Sequence, residues 1–225
     1  MLEHKIISIE STSALCAVAL SEGERIIGEY VSYDKNQHDR LLAEFVKRLL
    51  EDHDLKIENI DAVAVSAGPG SFTGLRIGAS VAKGLCFGDS PELISVPTLG
   101  ALAYAGISEA KNQKMNKIIA TVPSHKNILY YGEYDLELNP LTEVKVTTIE
   151  EIETKEFTNA LVSGPAAKYF SESIINERLN QLDVKKIARL ANKLYQEGNF
   201  TKASEFKPLY IQEFTPKIRQ KKLDI

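Results

Sequence analysis

The segment Gly68-Pro69-Gly70-Ser71-Phe72-Thr73-Gly74 holds the densest run of residues able to meet a ligand through the backbone. A glycine-rich turn between a strand and a helix can aim N–H groups at a phosphate, and the helix dipole favours the anion there. Neither familiar phosphate template is met. A Gly-x4-Gly-Lys-Ser/Thr loop needs a lysine, and this stretch has none. In a Gly-x-Gly-x-x-Gly fingerprint the third glycine would stand where Thr73 is, and Gly74 comes one residue late. A tight turn whose glycines supply positive φ accounts for the same residues without a ligand. Cys16 and Cys86 sit among apolar residues and read as buried thiols rather than a disulfide or a metal pair. No nucleophile–base pair is recognisable.

The elements around the loop follow from periodicity. Lys5–Ile9, Ala14–Leu20 and Arg25–Tyr33 are strand-like runs joined by tight turns, which predicts an antiparallel meander. The first turn, Glu10-Ser11-Thr12-Ser13, is polar. Leu41, Leu42, Phe45, Val46, Leu49 and Leu50 recur with helical spacing, with charged residues between them, so 38–52 is an amphipathic helix. Asp61–Ala67 is small and apolar throughout, as in a strand buried on both faces. The loop then leads into a helix over Leu75–Phe87. Leu93–Val96 is another buried strand, and Thr98 is a plausible N-cap for a third helix ending near Gly106 or Ala110.

The second half repeats this order in reduced form. Lys117–Val122, Ile128–Leu136 and Thr142–Thr148 read as strands, with turns at Ser124–Asn127 and Asn139-Pro140. A short helical turn at Glu150–Glu153, a strand at Ala160–Ser163 and helices near Ala166–Asn176 and Val184–Glu197 follow, the last closed by Gly198. Two copies of a β-β-β-α-β-α order predict two α/β lobes with mixed sheets, at 1–106 and 107–225.

The 225 residues are 44% hydrophobic and 26% charged, which is enough apolar surface for a core and argues against disorder. With 27 basic and 31 acidic side chains the net charge is −4, unlike a stand-alone nucleic-acid binder. No run approaches the ~18 apolar residues of a membrane span, and the first residues lack the pattern of a secretory signal, so a cytoplasmic location is expected.

Ile7-Ser8-Ile9-Glu10-Ser11-Thr12-Ser13, His38-Asp39-Arg40-Leu41-Leu42, Ile60–Val65 and above all Gly68-Pro-Gly-Ser-Phe-Thr-Gly-Leu-Arg-Ile-Gly78 closely resemble the bacterial TsaB family. The likeness continues through Ala82–Leu85 and Ser95–Leu99 and becomes patchy after about residue 105, with Tyr130–Tyr134 and Pro208–Ile211 still similar. It implies an actin/Hsp70-like two-lobe fold with mixed sheets flanked by helices. It also implies a role in forming threonylcarbamoyladenosine at position 37 of tRNAs that read codons beginning with A. In that family this subunit carries no catalytic residues, metal or cofactor. It pairs through its first two helices with a catalytic paralogue, TsaD, and a small ATPase, TsaE, joins them. tRNA is then met only through the complex, and the isolated chain is expected to pair with itself.

TsaD holds its metal with a His-x3-His pair, which places two imidazoles on one helix face. His4, His38, His53 and His125 do not have that spacing. Nucleotide-binding relatives present an Asp and glycines after the first strand, where this chain has Glu10-Ser11-Thr12-Ser13. A kinase of the same superfold remains an alternative reading, and a metallopeptidase a more distant one.

Two surfaces are expected to face the partner. One is the stripe Leu41, Leu42, Phe45, Val46 and Leu49. The other is Gly74, Gly78 and Ala82, small residues four apart on which a helix can pack closely; packing against this protein's own sheet is the other reading of that stripe. Arg76, at the positive end of its helix, is expected beside Asp39 or Glu10, or in water. Where family members often carry Asp-Ala-Arg, the chain has Pro123-Ser124-His125. Lys217, Arg219, Lys221 and Lys222 form a basic tail, read as a solvated end or a contact with tRNA phosphates.

Overall fold

Strands that read as continuously apolar are the ones covered on both sides. In a computed structural model, which describes residues 3–34, 37–88, 91–170 and 178–211, β1 (Lys5–Glu10), β2 (Cys16–Glu22) and β3 (Arg25–Ser32) form the antiparallel meander. β4 (Ala62–Ser66) pairs parallel with β1, and β5 (Glu92–Val96) parallel with β4, giving the order β3-β2-β1-β4-β5. One face of this sheet, with Ile7, Ile9, Val18, Val63 and Val65, packs under α1 (His38–Asp52) and α2 (Phe72–Leu85). The other, with Ile6, Ala62, Ala64 and Ile94, is closed by Ile187, Leu190 and Ala191 of α5 (Val184–Gln196) and by Ala101 of α3 (Thr98–Asn112).

The second sheet repeats the plan. β6 (Lys117–Pro123), β7 (Ile128–Tyr134) and β8 (Lys145–Thr148) form a meander, and β9 (Ala160–Ser163) pairs parallel with β6. Its order is β8-β7-β6-β9, so β6 and β9 stand where β1 and β4 stand in the first sheet. α4 (Ile149–Glu153) is the short helical turn expected there, opened by a reciprocal Thr148–Glu151 cap. The duplicated, reduced α/β plan is therefore the observed one. The expected boundary at 106 falls inside α3, which serves both sheets: Leu102 and Ala103 pack with Ile118 and Leu161 of the second. α5 and Phe206 return to the first sheet, so the cores do not divide at one point of the chain.

Local differences have local causes. α2 starts at Phe72, because the Ser71 side chain accepts from Gly74 N–H and caps it. The glycine motif is thus half loop and half helix. Pro97, not Thr98, precedes α3; the Thr98 hydroxyl instead accepts from Gly68 N–H (3.2 Å). α3 runs on to Asn112. A 3-10 turn at Ala167–Tyr169 opens the segment expected to be helical over 166–176, the rest of which, 171–176, lies outside the described residues, as does the basic tail with Lys217, Arg219, Lys221 and Lys222. Cys16 and Cys86 are free and buried, and burial pushes their thiols up to about 11 and about 12. No helix among the described residues is long and apolar enough to cross a membrane.

The stripe on α1 requires a correction. Leu42, Phe45, Val46 and Leu49 are at most 8% exposed and belong to the core beneath the helix, with Leu41 half-buried at its edge. The sheet needs an apolar cover, and α1 supplies it with those residues. They leave no open stripe for a partner or a second copy. Leu42→Ala is therefore expected to lower stability by about 2–5 kcal/mol, read as a reduced denaturation midpoint.

Candidate functional site

β1 ends on a carboxyl that turns back on its own chain. Glu10 Oε1 accepts from Thr12 N–H (2.5 Å) and Thr12 Oγ1 (2.6 Å). The residue is fully buried and Oε2 has no hydrogen-bond partner. Burial pushes the carboxyl up to about 7, against the bonds from Thr12 and Ser66, which favour the ionised form.

The turn held by Glu10 lies directly on the glycine motif. Ser71 N–H donates to Thr12 O (2.6 Å), and Ser11 Oγ donates to Gly74 O (2.9 Å). A Cβ on Gly70 would stand 2.5 Å from Thr12 O, one on Gly74 1.8 Å from Ser11 O, and one on Gly78 2.3 Å from Ser11 Oγ and 3.4 Å from Val65 Cγ2. Ala82, fully buried, continues the row into the core. The small-residue stripe is thus occupied by the β1–β2 turn and the first sheet, and the expectation that Gly74, Gly78 and Ala82 meet a partner helix is corrected. Gly78 tolerates no side chain because the molecule itself has come close.

The loop's other end is tied to distant segments. Gly68 has φ +103°, and its carbonyl accepts from Thr98 N–H (2.9 Å). Leu209 N–H donates to Ala67 O (2.8 Å), which draws the stretch around Leu209 alongside the loop. Tyr210 then packs on Phe72, ring centroids 5.0 Å apart, and the Arg76 guanidinium lies 4.0 Å over the Phe72 ring. Arg76 therefore meets an aromatic face rather than Asp39 or Glu10. The exposed Thr73 and the cis Gly68–Pro69 peptide complete the motif.

Between the lobes lies a cavity of about 1180 Å³. Its walls are the turn from Thr12 to Leu15, the loop from Pro69 to Phe72, the β6–β7 hairpin from Val122 to His125, residues 180–182 and the strip from Leu209 to Ile211. Tyr33 and Tyr130 add aromatic surface. The divergent hairpin Pro123-Ser124-His125 thus faces this space, with Ser124 Oγ donating to Tyr130 OH (3.1 Å). No Asp, Glu, Lys or Arg lines it among the described residues. Lys186 of α5 holds one wall from behind. Its buried ammonium donates to Leu179 O (3.0 Å) and Gln181 O, and burial pulls it down to about 8. Sequence reasoning missed Lys186, Tyr33 and the 180–182 wall, because each reaches the cavity from a distant stretch of chain.

His38 and His4 serve packing, while His125 lines the cavity. His38 bonds Leu15 O (3.1 Å), so it is buried rather than solvated and ties the start of α1 to the turn. His4 bonds Asn192 and stacks on Tyr195 of α5. Among the described residues no three His, Cys, Asp or Glu side chains are grouped to hold a metal ion.

Two mixed sheets, the second a reduced copy of the first, with a cavity between them walled by the first turn of each, define an actin-like α/β protein. The family model described as TsaD, tRNA N6-adenosine threonylcarbamoyltransferase, matches residues 25–155. The chain belongs to the family that this model describes, and TsaB proteins are among the relatives it resembles. It is 30% identical over 132 residues to the tRNA threonylcarbamoyladenosine biosynthesis protein TsaB of Haemophilus influenzae, covering 57% of this chain and 52% of that protein. The match thus spans about half the length of that relative. The TsaB of Buchnera aphidicola from Acyrthosiphon pisum is 28% identical over 188 residues, covering 80% of this chain and 83% of its own. YeaZ from Pseudomonas aeruginosa shares the fold, with a TM-score of 0.75, 21% identity, and coverage of 92% of this chain and 100% of that structure.

Proposed function

We propose that this chain is a non-catalytic subunit in the formation of N6-threonylcarbamoyladenosine on tRNA, and that it supports a TsaD-type catalytic subunit, joined by a TsaE-type ATPase. The observation that carries this reading is the lining of the interlobe cavity. Phosphoryl and acyl transfer need groups that hold developing charge and move protons. The described walls offer tyrosines, amides, hydroxyls and one imidazole, with no carboxylate, ammonium or guanidinium. Glu10, at the end of β1, spends one oxygen on Thr12 and is sealed from the cavity by the turn it holds. That arrangement also speaks against a kinase.

Pairing uses what α1 and α2 leave outside the core. Ile77, Val81 and Leu85 are half-buried along the flank of α2 nearest α1, and Phe87, just past α2, is 89% exposed. A side chain of that size in water favours being covered. In the partner's absence the same faces close on a second copy. Phe87→Asp is expected to cut co-purification with the TsaD-type subunit at least tenfold while leaving the melting temperature unchanged. The reading itself is tested by reconstitution: the chain alone gives no modified tRNA, and adding it to the other subunits raises the yield. Turnover by the chain alone, lost on a point substitution within it, would overturn the proposal.

A further inference from the structure

Outside the interlobe cavity, a groove of about 690 Å³ runs between α2 and the stretch from Phe206 to Tyr210. Its charged lining is Arg76, Lys83 and Lys207, with no acidic side chain among the described residues. None of the three takes part in an ion pair among those residues, whereas Lys47 and Arg48 of α1 are paired with Glu51 and Glu44. The chain as a whole carries −4, so this patch is not a share of a general positive charge. Beside it the Phe72 ring meets both the Tyr210 ring, tilted at 50° to it, and the Arg76 guanidinium, with Tyr210 42% exposed.

We propose that this groove holds the sugar–phosphate backbone of single-stranded RNA, with Tyr210 offering its ring to a base. Unpaired cations in a concave site attract a polyanion, and an exposed aromatic ring next to a guanidinium suits a nucleobase, whose flat face stacks on it. An acidic protein surface would use the charges and leave the aromatic rings idle. Helical spacing keeps this site apart from the pairing surface. Arg76, Ser80 and Lys83 lie on the flank of α2 that faces the 206–210 stretch, whereas Ile77, Val81 and Leu85 lie on the flank toward α1. A partner on α1 and α2 leaves the groove open, and the subunit then adds its own grip on tRNA, beside the contacts made through the complex. The inference rests on the proposed role in tRNA modification for the choice of RNA.

The test uses the full chain and an unmodified transcript of a tRNA that reads an A-starting codon, with binding followed from about 50 to 200 mM salt. Three phosphate contacts predict that log affinity falls against log salt with a slope of about −2. Reversing all three charges (Arg76→Glu, Lys83→Glu, Lys207→Glu) is expected to weaken binding at least tenfold and flatten the slope, with an unchanged melting temperature. Tyr210→Ala is expected to weaken binding several-fold and keep the slope. Reversal of Lys47 and Arg48 on α1 should change neither. Absence of wild-type binding at the lowest salt, or full binding by the triple variant, overturns the inference. So does a triple variant that binds tRNA normally but no longer co-purifies with the catalytic subunit, which would assign the groove to an acidic protein surface. The pathway reading is checked separately, by whether the wild-type chain restores modified tRNA in cells lacking their own copy. If it does not, that reading falls while the binding measurement still decides the groove.

Discussion

Gly74→Ala should cost about 3–5 kcal/mol and leave most of the protein unfolded or insoluble at 37 °C. The added methyl would stand 1.8 Å from the carbonyl oxygen of Ser11, a backbone atom with no rotamer to escape into. Relief requires moving the whole β1–β2 turn, and with it the Ser71 N–H to Thr12 O bond and the buried Glu10 carboxyl. Gly78→Leu should fail as well, since its Cβ meets Ser11 Oγ at 2.3 Å and Val65 at 3.4 Å. Gly84 supplies the control on the same helix. It has nothing within 4 Å of an added Cβ and no positive φ, so Gly84→Ala should stabilise α2 by about 0.5–1 kcal/mol. Thermal melts of the three variants decide the matter. A soluble, normally melting Gly74→Ala would show that the turn does not sit on α2 as described.

Glu10 makes stability depend on pH in the direction opposite to an ion-paired carboxylate. Its carboxyl is pushed up to about 7 in the folded protein from 4.5. Below pH 4.5 both states are protonated, and the contribution is complete. Between 4.5 and 7 the unfolded chain ionises while the folded one holds its proton, so stability falls as pH rises. Above 7 the loss is complete, about 3 kcal/mol. That corresponds to roughly 6–12 °C in melting temperature for a chain of this size. Glu10→Gln keeps the acceptor for Thr12 and cannot ionise. The difference between its melting temperature and that of wild type should grow from pH 5 to pH 8 in favour of the variant. Paired carboxylates such as Glu22 and Glu133, held low by lysines, act below that window, where acid removes what they contribute. Equal pH profiles for the two proteins would mean that Glu10 is not sealed.

The elements were legible because each carried an undisturbed pattern: α1 lies where helical spacing puts it, and the buried strands of the first sheet where short, continuously apolar runs do. What the residues alone could not say is which side of an apolar stripe is covered. Leu42 and Gly78 have the composition of an interface and of a core alike. The choice is made by β1 and its turn, more than twenty residues away in the chain. Thr98 reads as a cap because caps are local, yet its hydroxyl is drawn off by Gly68 across 30 residues. The cavity was the least legible feature. Its walls come from segments scattered along the whole chain, and Tyr33 or Gln181 carries no sign that it will meet Pro69.

The placement of α5 has a consequence for how the protein is made. Ile6, Ala62, Ala64 and Ile94 wait for Ile187, Leu190 and Ala191, and the Lys185–Glu29 ion pair joins the same late helix to β3. On a ribosome, the first sheet is complete at Val96, yet the part of this face that α5 covers, beyond the reach of Ala101 on α3, stays bare while about 100 further residues are added, some 5–20 s at ordinary elongation rates. During that interval a nascent chain presents an oily β-surface to the crowded cell. Its safe delivery depends on a chaperone's shelter, or on the speed with which the second sheet and α5 arrive.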